Sequence, residues 1–200
     1  MQKFTQTLLE KKSSKWMNFQ KSVTYLSVLT TICGCAATSQ YAERMKSDLK
    51  VSFSQYVEAP ETSPHSLVRF VSDGVIFVHP NSACISADNE NAGFVIGGNP
   101  IWWSASGFQG QQRGIQEPLP ENRTFAEVRV PSGSPLTVSY RMVGGRFACK
   151  MERTFTPESN SQYEVISQAF FSEQKCVMGV RQLTPDAAPI STTPAKICGH

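Results

Sequence analysis

The chain has 200 residues, of which 40% are hydrophobic and 18% are charged. This length and composition suit one folded domain with tails, and they exclude a chain that is disordered throughout. The sequence contains no uninterrupted apolar run of about 18 residues or more, which excludes an ordinary transmembrane helix.

The formal net charge of +3 is unevenly distributed along the chain. Residues 1–35 hold five lysines and one glutamate, whereas residues 36–200 hold 14 basic and 15 acidic side chains. Nucleic-acid binding requires positive charge concentrated on one surface, because the protein must displace counterions from phosphates. The body of the chain has no such basic stripe, so the sequence predicts no nucleic-acid partner.

The N-terminal region has the order of features that is typical of an export signal. Lysines up to Lys21 precede a moderately apolar segment at residues 23–32, which is too short to span a bilayer. Met17 is a second position at which such a signal would begin. The segment ends at Ile32–Ala36, with an aliphatic residue, a variable one, a small one and then Cys. This order resembles the lipobox of bacterial lipoproteins.

The resemblance implies that residues 1–34 are a signal peptide and that Cys35 is the lipidated first residue of the mature chain. In that family the Cys thiol is diacylated and the new amino group is acylated. Several acyl chains on one residue anchor stably, because each buried methylene contributes about 0.8 kcal/mol. Ala36 after the lipidated Cys resembles sorting to the outer membrane, on its periplasmic side. The alternative is a plain secretory signal that is cut near residues 35–37.

Two different segments are predicted between the signal and the first strand. Tyr41, Met45 and Leu49 recur every four residues in an otherwise polar stretch, which predicts a short helix. Residues 51–65 contain two prolines and several serines and threonines. Residues 35–65 are therefore predicted to be the lipidated N-terminus and a tether.

Strand patterns begin at about residue 66. Leu67–Val71 and Val75–Val78 flank Asp73-Gly74, which predicts a β-hairpin because Asp-Gly favours a two-residue turn. Further strands are predicted at residues 93–96, 125–130, 136–143, 147–155, 163–171 and 176–183. Seven or eight short strands with regular turn signals predict an all-β, antiparallel β-sandwich at residues 66–183. The general plan resembles immunoglobulin-like or transthyretin-like modules, and residues 184–200 are predicted to be an extended tail.

Four cysteines lie outside the N-terminal signal: Cys84, Cys149, Cys176 and Cys198. An even number in an oxidising compartment predicts two disulfides, although four cysteines allow three connectivities. Cys149 and Cys176 lie on neighbouring strand-like segments, so the preferred pairing joins them and leaves Cys84 to pair with Cys198. There is no Cys-x-x-Cys motif, and the histidines have no ligand spacing, so no metal site is predicted.

The sequence contains only weak candidates for catalysis. It has no Gly-x-Ser-x-Gly motif. Glu117 and Glu121 could act as an acid and base pair, but a solvated, proline-rich loop explains them better. His79 could act as a base, but it is more simply an imidazole at the end of a strand. No catalytic residue and no cofactor are therefore predicted.

Residues 97–122 form a long irregular segment that is rich in glycine, glutamine and aromatic residues. Trp102 and Trp103 are adjacent, so on an extended backbone their side chains point to opposite sides. An exposed Trp is a typical contact anchor, so Trp102, Trp103, Phe108 and Arg113 are the predicted partner-binding residues. The alternative is that this loop folds over an open end of the sandwich and that both Trp rings are buried.

These expectations favour an outer-membrane-anchored periplasmic lipoprotein that acts as a non-enzymatic binding or accessory module. Its partner would be a protein of the envelope or of a secretion system, and its membrane contact would be the lipid on Cys35. One alternative is an inhibitor or immunity protein that blocks a periplasmic hydrolase. Another is an enzyme acting on cell-wall or glycan material through Glu117, Glu121 or His79.

Overall fold

The structure is a computed structural model, and it describes residues 41–42, 45–46, 49–50, 53–97, 107–144, 147–183 and 188–198. The fold is nearly all β, with two sheets that pack together. Among the described residues, eight strands have four residues or more, in agreement with the seven or eight predicted. The predicted β-sandwich is confirmed.

The strands are β1 (His65–Ser72), β2 (Val75–His79), β3 (Cys84–Ile85), β4 (Gly93–Ile96), β5 (Thr124–Pro131), β6 (Leu136–Gly144), β7 (Phe147–Phe155), β8 (Gln162–Phe170), β9 (Lys175–Gln182), β10 (Ala188–Pro189), β11 (Thr193–Pro194) and β12 (Lys196–Ile197). The first sheet has the order β10-β9-β8-β1-β5 and the second has the order β11-β7-β6-β2-β4, while β12 pairs with β3. Within the two large sheets β1 and β8 are parallel, and the other neighbours are antiparallel.

The core lies between the two large sheets and follows the two-residue period of the strands. Val68 and Phe70 of β1 are fully buried there, together with Val128 of β5. Val138 and Tyr140 of β6 face them from the second sheet. Successive side chains of a strand point to opposite faces, so alternate residues enter the core. Each fully buried aliphatic or Phe side chain stabilises the fold by roughly 1.5–3 kcal/mol.

The predicted hairpin across Asp73-Gly74 is wrong. β1 pairs with β5 and β8 in the first sheet, whereas β2 pairs with β4 and β6 in the second. The two residues form a corner at which the chain crosses between sheets. A Cβ atom on Gly74 would lie 2.5 Å from the carbonyl oxygen of Arg141. Glycine is therefore needed here for a close backbone approach, not for the positive φ of a hairpin turn.

The side chain of Asp73 ties this corner to both sheets. Its Oδ1 accepts a hydrogen bond from the hydroxyl of Tyr140 on β6 at 2.6 Å. Its Oδ2 accepts one from the backbone N–H of Ala169 on β8 at 2.9 Å. A single carboxylate thus satisfies a donor from each layer of the sandwich.

We expect Asp73→Ala to lower the free energy of unfolding by about 2 to 3 kcal/mol, because it leaves two donors without their acceptor. Tyr140→Phe removes only one of the two hydrogen bonds and is expected to lower it by about 1 kcal/mol. Urea denaturation measures both values. Equal losses in the two variants would show that the Ala169 bond contributes nothing.

Both predicted disulfides are confirmed. Cys149 on β7 is bonded to Cys176 on β9, so this bond joins the two sheets. Cys84 on β3 is bonded to Cys198, just after β12. The described residues of the C-terminal segment pair first with β9 of the first sheet and then with β7 of the second.

The sandwich begins earlier along the chain than the sequence analysis placed it. Tyr56 is buried in the core, and its backbone N–H donates to the carbonyl of Phe94 on β4 at 3.2 Å. The N–H of Phe94 in turn donates to the carbonyl of Ser54 at 2.9 Å. A Cβ atom on Gly93 would clash with the backbone of Gln55 and Tyr56, so glycine permits this approach. The segment from residue 54 onwards therefore packs on the domain and is not part of a free tether.

Candidate functional site

Four charged side chains lie side by side across the first sheet: Glu127 on β5, Arg69 on β1, Glu164 on β8 and Arg181 on β9. The strand register pairs Arg69 with Glu127 on one side and with Glu164 on the other. Glu164 is paired in turn with Arg181. Residues in register on adjacent strands project from the same face, so the four form one charged row. Val68 and Phe70, which flank Arg69 in sequence, point into the core, so the charged row lies on the outer face.

The charged row alternates in sign and is closely paired. Arg69 donates to Glu127 Oε1 from Nε at 3.0 Å and from Nη2 at 2.8 Å. Its Nη1 lies 3.7 Å from Glu164 Oε1. Arg181 donates to Glu164 Oε2 from Nε at 2.8 Å, and its Nη2 lies 2.6 Å from the same oxygen. Two positive and two negative groups thus compensate one another.

An outer face is normally in contact with water, but here the centre of the charged row is covered. Arg69 is 0% exposed and Glu127 is 1% exposed. The cover is the irregular segment that precedes β5, and residues 107–120 of it are named here the clamped loop. Burying two ions is costly unless they are paired and their remaining hydrogen-bonding groups are satisfied. The clamped loop supplies the missing partners.

The guanidinium of Arg69 holds three carbonyl groups of the clamped loop. It donates to Ile115 at 3.3 Å, to Glu117 at 2.8 Å and to Pro118 at 2.9 Å. This part of the loop lies outside the two sheets, so its carbonyl oxygens need hydrogen-bond donors of this kind. The side chain therefore acts both as half of an ion pair and as a backbone clamp.

The carboxylate of Glu127 accepts hydrogen bonds from backbone N–H groups of the same loop. Its Oε2 accepts from the backbone N–H of Arg113 at 2.5 Å, of Gly114 at 3.1 Å and of Ile115 at 3.3 Å. Its other oxygen is engaged by Arg69. Together the two side chains fix both donors and acceptors over residues 113–118.

Backbone groups of the clamped loop and the side chain of Glu58 also protect the edge of the first sheet. β5 is the last strand of that sheet, and an open edge invites pairing with other chains. The backbone N–H of Gly110 donates to the carbonyl of Phe125 at 2.8 Å, and the backbone N–H of Glu127 donates to the carbonyl of Gln111 at 2.9 Å. Further along, the carboxylate of Glu58 accepts the backbone N–H of Arg129 at 2.8 Å.

The structure uses two of the predicted partner-binding residues inside the fold. Phe108 is partly buried against the core, with its ring edge-on to Tyr56 at a centroid distance of 6.2 Å. Arg113 forms an ion pair with Glu58 at 2.5 Å. Trp102 and Trp103 lie outside the described residues.

The outward surface of the clamped loop is formed by other residues. Gln112, Gln116, Pro118 and Leu119 are exposed, and Leu119 is the large apolar one at 41%. The sequence predicts Gln112 as part of a polar rim beside the Trp pair, but it gives no indication of Gln116, Pro118 or Leu119, because exposure on an irregular loop leaves no periodic signal.

The three weak catalytic candidates have different surroundings in the structure. His79 is buried at the end of β2, and Glu121 is exposed beyond the clamped loop. Glu117 takes part in the loop through its carbonyl oxygen. Three shallow depressions, of about 200, 470 and 380 Å³, are lined by His65–Leu67 with Asn160–Gln162, by Pro80–Ser82 with Ser86 and Asp88–Glu90, and by Gln109–Gly110 with Asn122–Phe125. Those three do not include His79, Glu117 or Glu121.

Over the described ranges, no group of three or more His, Cys, Asp or Glu side chains is arranged to hold a metal ion. In the same part of the chain no helix has both the length and the apolar character that a membrane span requires.

Two buried tyrosines give the fold a defined response to alkaline pH. Burial raises the pKa of Tyr56 far above its ordinary value of 10.0, and Glu58 raises it further. Burial also raises the pKa of Tyr140, with a further contribution from its hydrogen bond to Asp73. A group whose folded-state pKa is raised contributes stability that is complete below its unfolded pKa and is lost as pH rises above it.

We therefore expect the free energy of unfolding to fall once the pH exceeds about 10, the ordinary pKa of tyrosine. Tyr56→Phe and Tyr140→Phe should each make this fall shallower. The control is Tyr41→Phe, since that side chain is exposed. Urea denaturation with spectroscopic titration of the phenols over this range tests the expectation, and an unchanged slope in both core variants would contradict it.

No known family model, curated protein or solved structure matches the chain.

Proposed function

We propose that the chain is a lipid-anchored protein of the bacterial cell envelope, attached to the outer membrane through Cys35 and facing the periplasm. The lipobox-like order of Ile32–Ala36 supports the anchor. The two disulfides support an oxidising compartment, because such bonds are rare in reducing ones.

In this proposal the domain is a non-enzymatic binding module that contacts a protein partner through the clamped loop. The observation that carries it is the hold of Arg69 and Glu127 on the loop backbone. Ordering a flexible loop on binding opposes association, and a loop that is already ordered avoids that loss. Irregular segments held on a rigid scaffold are also where binding residues are most often found.

The chemistry of the exposed side chains suggests the kind of partner. Leu119 offers an apolar anchor, and Gln112 and Gln116 of the same loop offer exposed amide donors and acceptors. An apolar centre within a polar rim is the usual anatomy of a protein–protein contact. The partner surface would therefore have a small apolar depression bordered by polar groups. Trp102 and Trp103 precede the loop in sequence and are proposed to extend the contact.

The anchor is tested by the intact mass of the mature chain extracted from bacterial membranes. The expected mass is that of residues 35–200 plus acyl chains on Cys35. Cys35→Ser is expected to abolish acylation and to release the domain from the membrane fraction. A membrane-extracted chain without acyl mass would end this part of the proposal.

The binding surface is tested by affinity capture from cross-linked envelope preparations with two matched variants. Leu119→Ser is expected to weaken partner capture by on the order of tenfold, since truncation of an interface anchor removes more than 1 kcal/mol. Phe171→Ser removes an exposed apolar side chain outside the loop and should leave capture unchanged. Equal capture by the parent chain and both variants would contradict the assignment of the surface.

The hydrogen bonds that hold the clamped loop also favour a second candidate, an inhibitor or immunity protein that blocks a periplasmic hydrolase. Pre-organised surfaces are characteristic of tight enzyme inhibitors. In that case the captured partner is a hydrolase, its activity falls when the parent chain is added, and Leu119→Ser inhibits it less.

A further inference from the structure

The residues that precede the sandwich carry a row of large apolar side chains that the fold leaves uncovered. Every described residue among 41–53 is helical: residues 41, 42, 45, 46, 49, 50 and 53. Met45, Leu49 and Phe53 are 48%, 56% and 50% exposed, and Tyr41, four residues earlier, is 67% exposed. Residues four apart lie on one side of a helix, so these side chains form an apolar stripe.

The helix is joined to the sandwich without slack. Ser54 follows Phe53 directly, and its carbonyl already accepts the N–H of Phe94 on β4. Tyr56 is buried two residues later. The position of the helix therefore determines how close the domain lies to whatever the stripe contacts.

The proposed anchor lies close to the other end of the helix. Six residue steps separate Cys35 from Tyr41. A fully extended chain covers about 3.5 Å per residue, so the helix begins within about 20 Å of the lipidated residue. This distance keeps the stripe within reach of the bilayer surface at all times.

The spacing of the stripe distinguishes a membrane surface from a second helix. Steps of four residues rotate by about 40° each on an α-helix, so the stripe spreads over roughly 120°. A coiled-coil seam alternates steps of three and four to stay narrow. Broad apolar faces are typical of helices that lie in the membrane interface. Lys46 and Lys50 are exposed beside the stripe, where they can reach anionic headgroups.

We propose that the helical residues 41, 42, 45, 46, 49, 50 and 53 lie along the periplasmic surface of the outer membrane, with their apolar stripe at the boundary between headgroups and acyl chains. The occupant of the stripe is a bilayer that contains anionic phospholipid. This inference rests on the lipid anchor of the proposed function, and it adds a second attachment that holds the domain close to the membrane instead of away from it.

The test places a photo-reactive benzoylphenylalanine at Leu49, or at Lys50, in the full chain. Each mature protein is purified from membranes and reconstituted in vesicles of phosphatidylethanolamine and phosphatidylglycerol. Mass spectrometry then counts acyl-chain adducts after illumination. The yield of acyl-chain adducts at residue 49 is expected to exceed that at residue 50 by on the order of tenfold, because the stripe of an interfacial helix contacts acyl chains, whereas a residue beside it lies at the level of the headgroups.

A third site, Leu119, controls for the mere exposure of an apolar position, and it should give few lipid adducts. Equal lipid yields at residues 49 and 50 overturn the inference. Cross-links from residue 49 to a second copy of the chain, or to another protein in intact membranes, also overturn it. The anchor is judged separately by the mass of the mature chain. Lipid adducts at residue 49 on a chain without acyl mass would refute the anchor and leave the membrane-bound helix standing.

Discussion

Glu127→Ala is expected to lower the free energy of unfolding by about 3 to 5 kcal/mol, the range for breaking one side of a buried ion pair. The change leaves the buried guanidinium of Arg69 without its closest charged partner. It also leaves three N–H groups of the clamped loop, at residues 113–115, without their acceptor. Urea denaturation measures the loss, and limited proteolysis should show faster cleavage within residues 107–120.

Two further variants distinguish the effect of the paired charges from the effect of the hydrogen bonds that hold the clamped loop. Glu117→Gln changes a carboxylate of the same loop but keeps the carbonyl that Arg69 uses, so its effect should stay within about 0.5 kcal/mol. Arg69→Met combined with Glu127→Leu removes both charges, so it should destabilise less than Glu127→Ala alone. The double variant should nevertheless release the loop to protease. A loop that stays resistant in all three variants would refute the clamp.

Removal of the Cys84–Cys198 disulfide is the second change with a large expected effect. This bond closes a segment with a sequence separation of 114 residues, whereas Cys149–Cys176 closes one of 27. The loss of chain entropy in the unfolded state grows with the length of the closed segment. Cys84→Ala with Cys198→Ala should therefore lower the free energy of unfolding by about 5 kcal/mol, against about 3.5 kcal/mol for the shorter bond.

Urea denaturation of the two paired-alanine variants gives the comparison. The backbone N–H of Cys198 donates to the carbonyl of Ile85 at 2.9 Å, so hydrogen exchange at that amide reports whether β12 stays on β3. Fast exchange is expected only in the Cys84/Cys198 variant. A variant that keeps the parent stability would show that the tail is held by its strand pairing alone.

The sequence was a sufficient guide to the eight longer strands and to the disulfides, but not to the two-residue strands β3, β10, β11 and β12. Alternation of apolar and polar residues is imposed by burial on one face, so β5 to β9 could be recognised locally. The pairing of Cys149 with Cys176 followed from strands that are close along the chain. The crossing at Asp73-Gly74 could not be recognised in this way, since a local turn signal does not say which sheet the next strand joins.

The centre of the candidate site was not predicted, for a related reason. Alternation places Arg69, Glu127 and Glu164 opposite the core residues, which ordinarily means contact with water. Their burial depends on a loop that starts about 40 residues after Arg69 in sequence and has no periodicity of its own. A signal was nevertheless present: each charge stands in the middle of a strand whose neighbours are apolar. Three such charges of mixed sign suggest an internal network.

The place of β1 in the first sheet determines the order in which the protein can acquire its shape. β1 is the earliest strand along the chain, yet it lies between β5 and β8, and Leu67 is in register with Gln162. A nascent chain cannot complete this pairing until almost its whole length is free to move. Contacts between such remote segments slow folding, because a large loop must close before they form. Folding of this domain is therefore completed late, because β1 cannot finish its pairing until β8 is available.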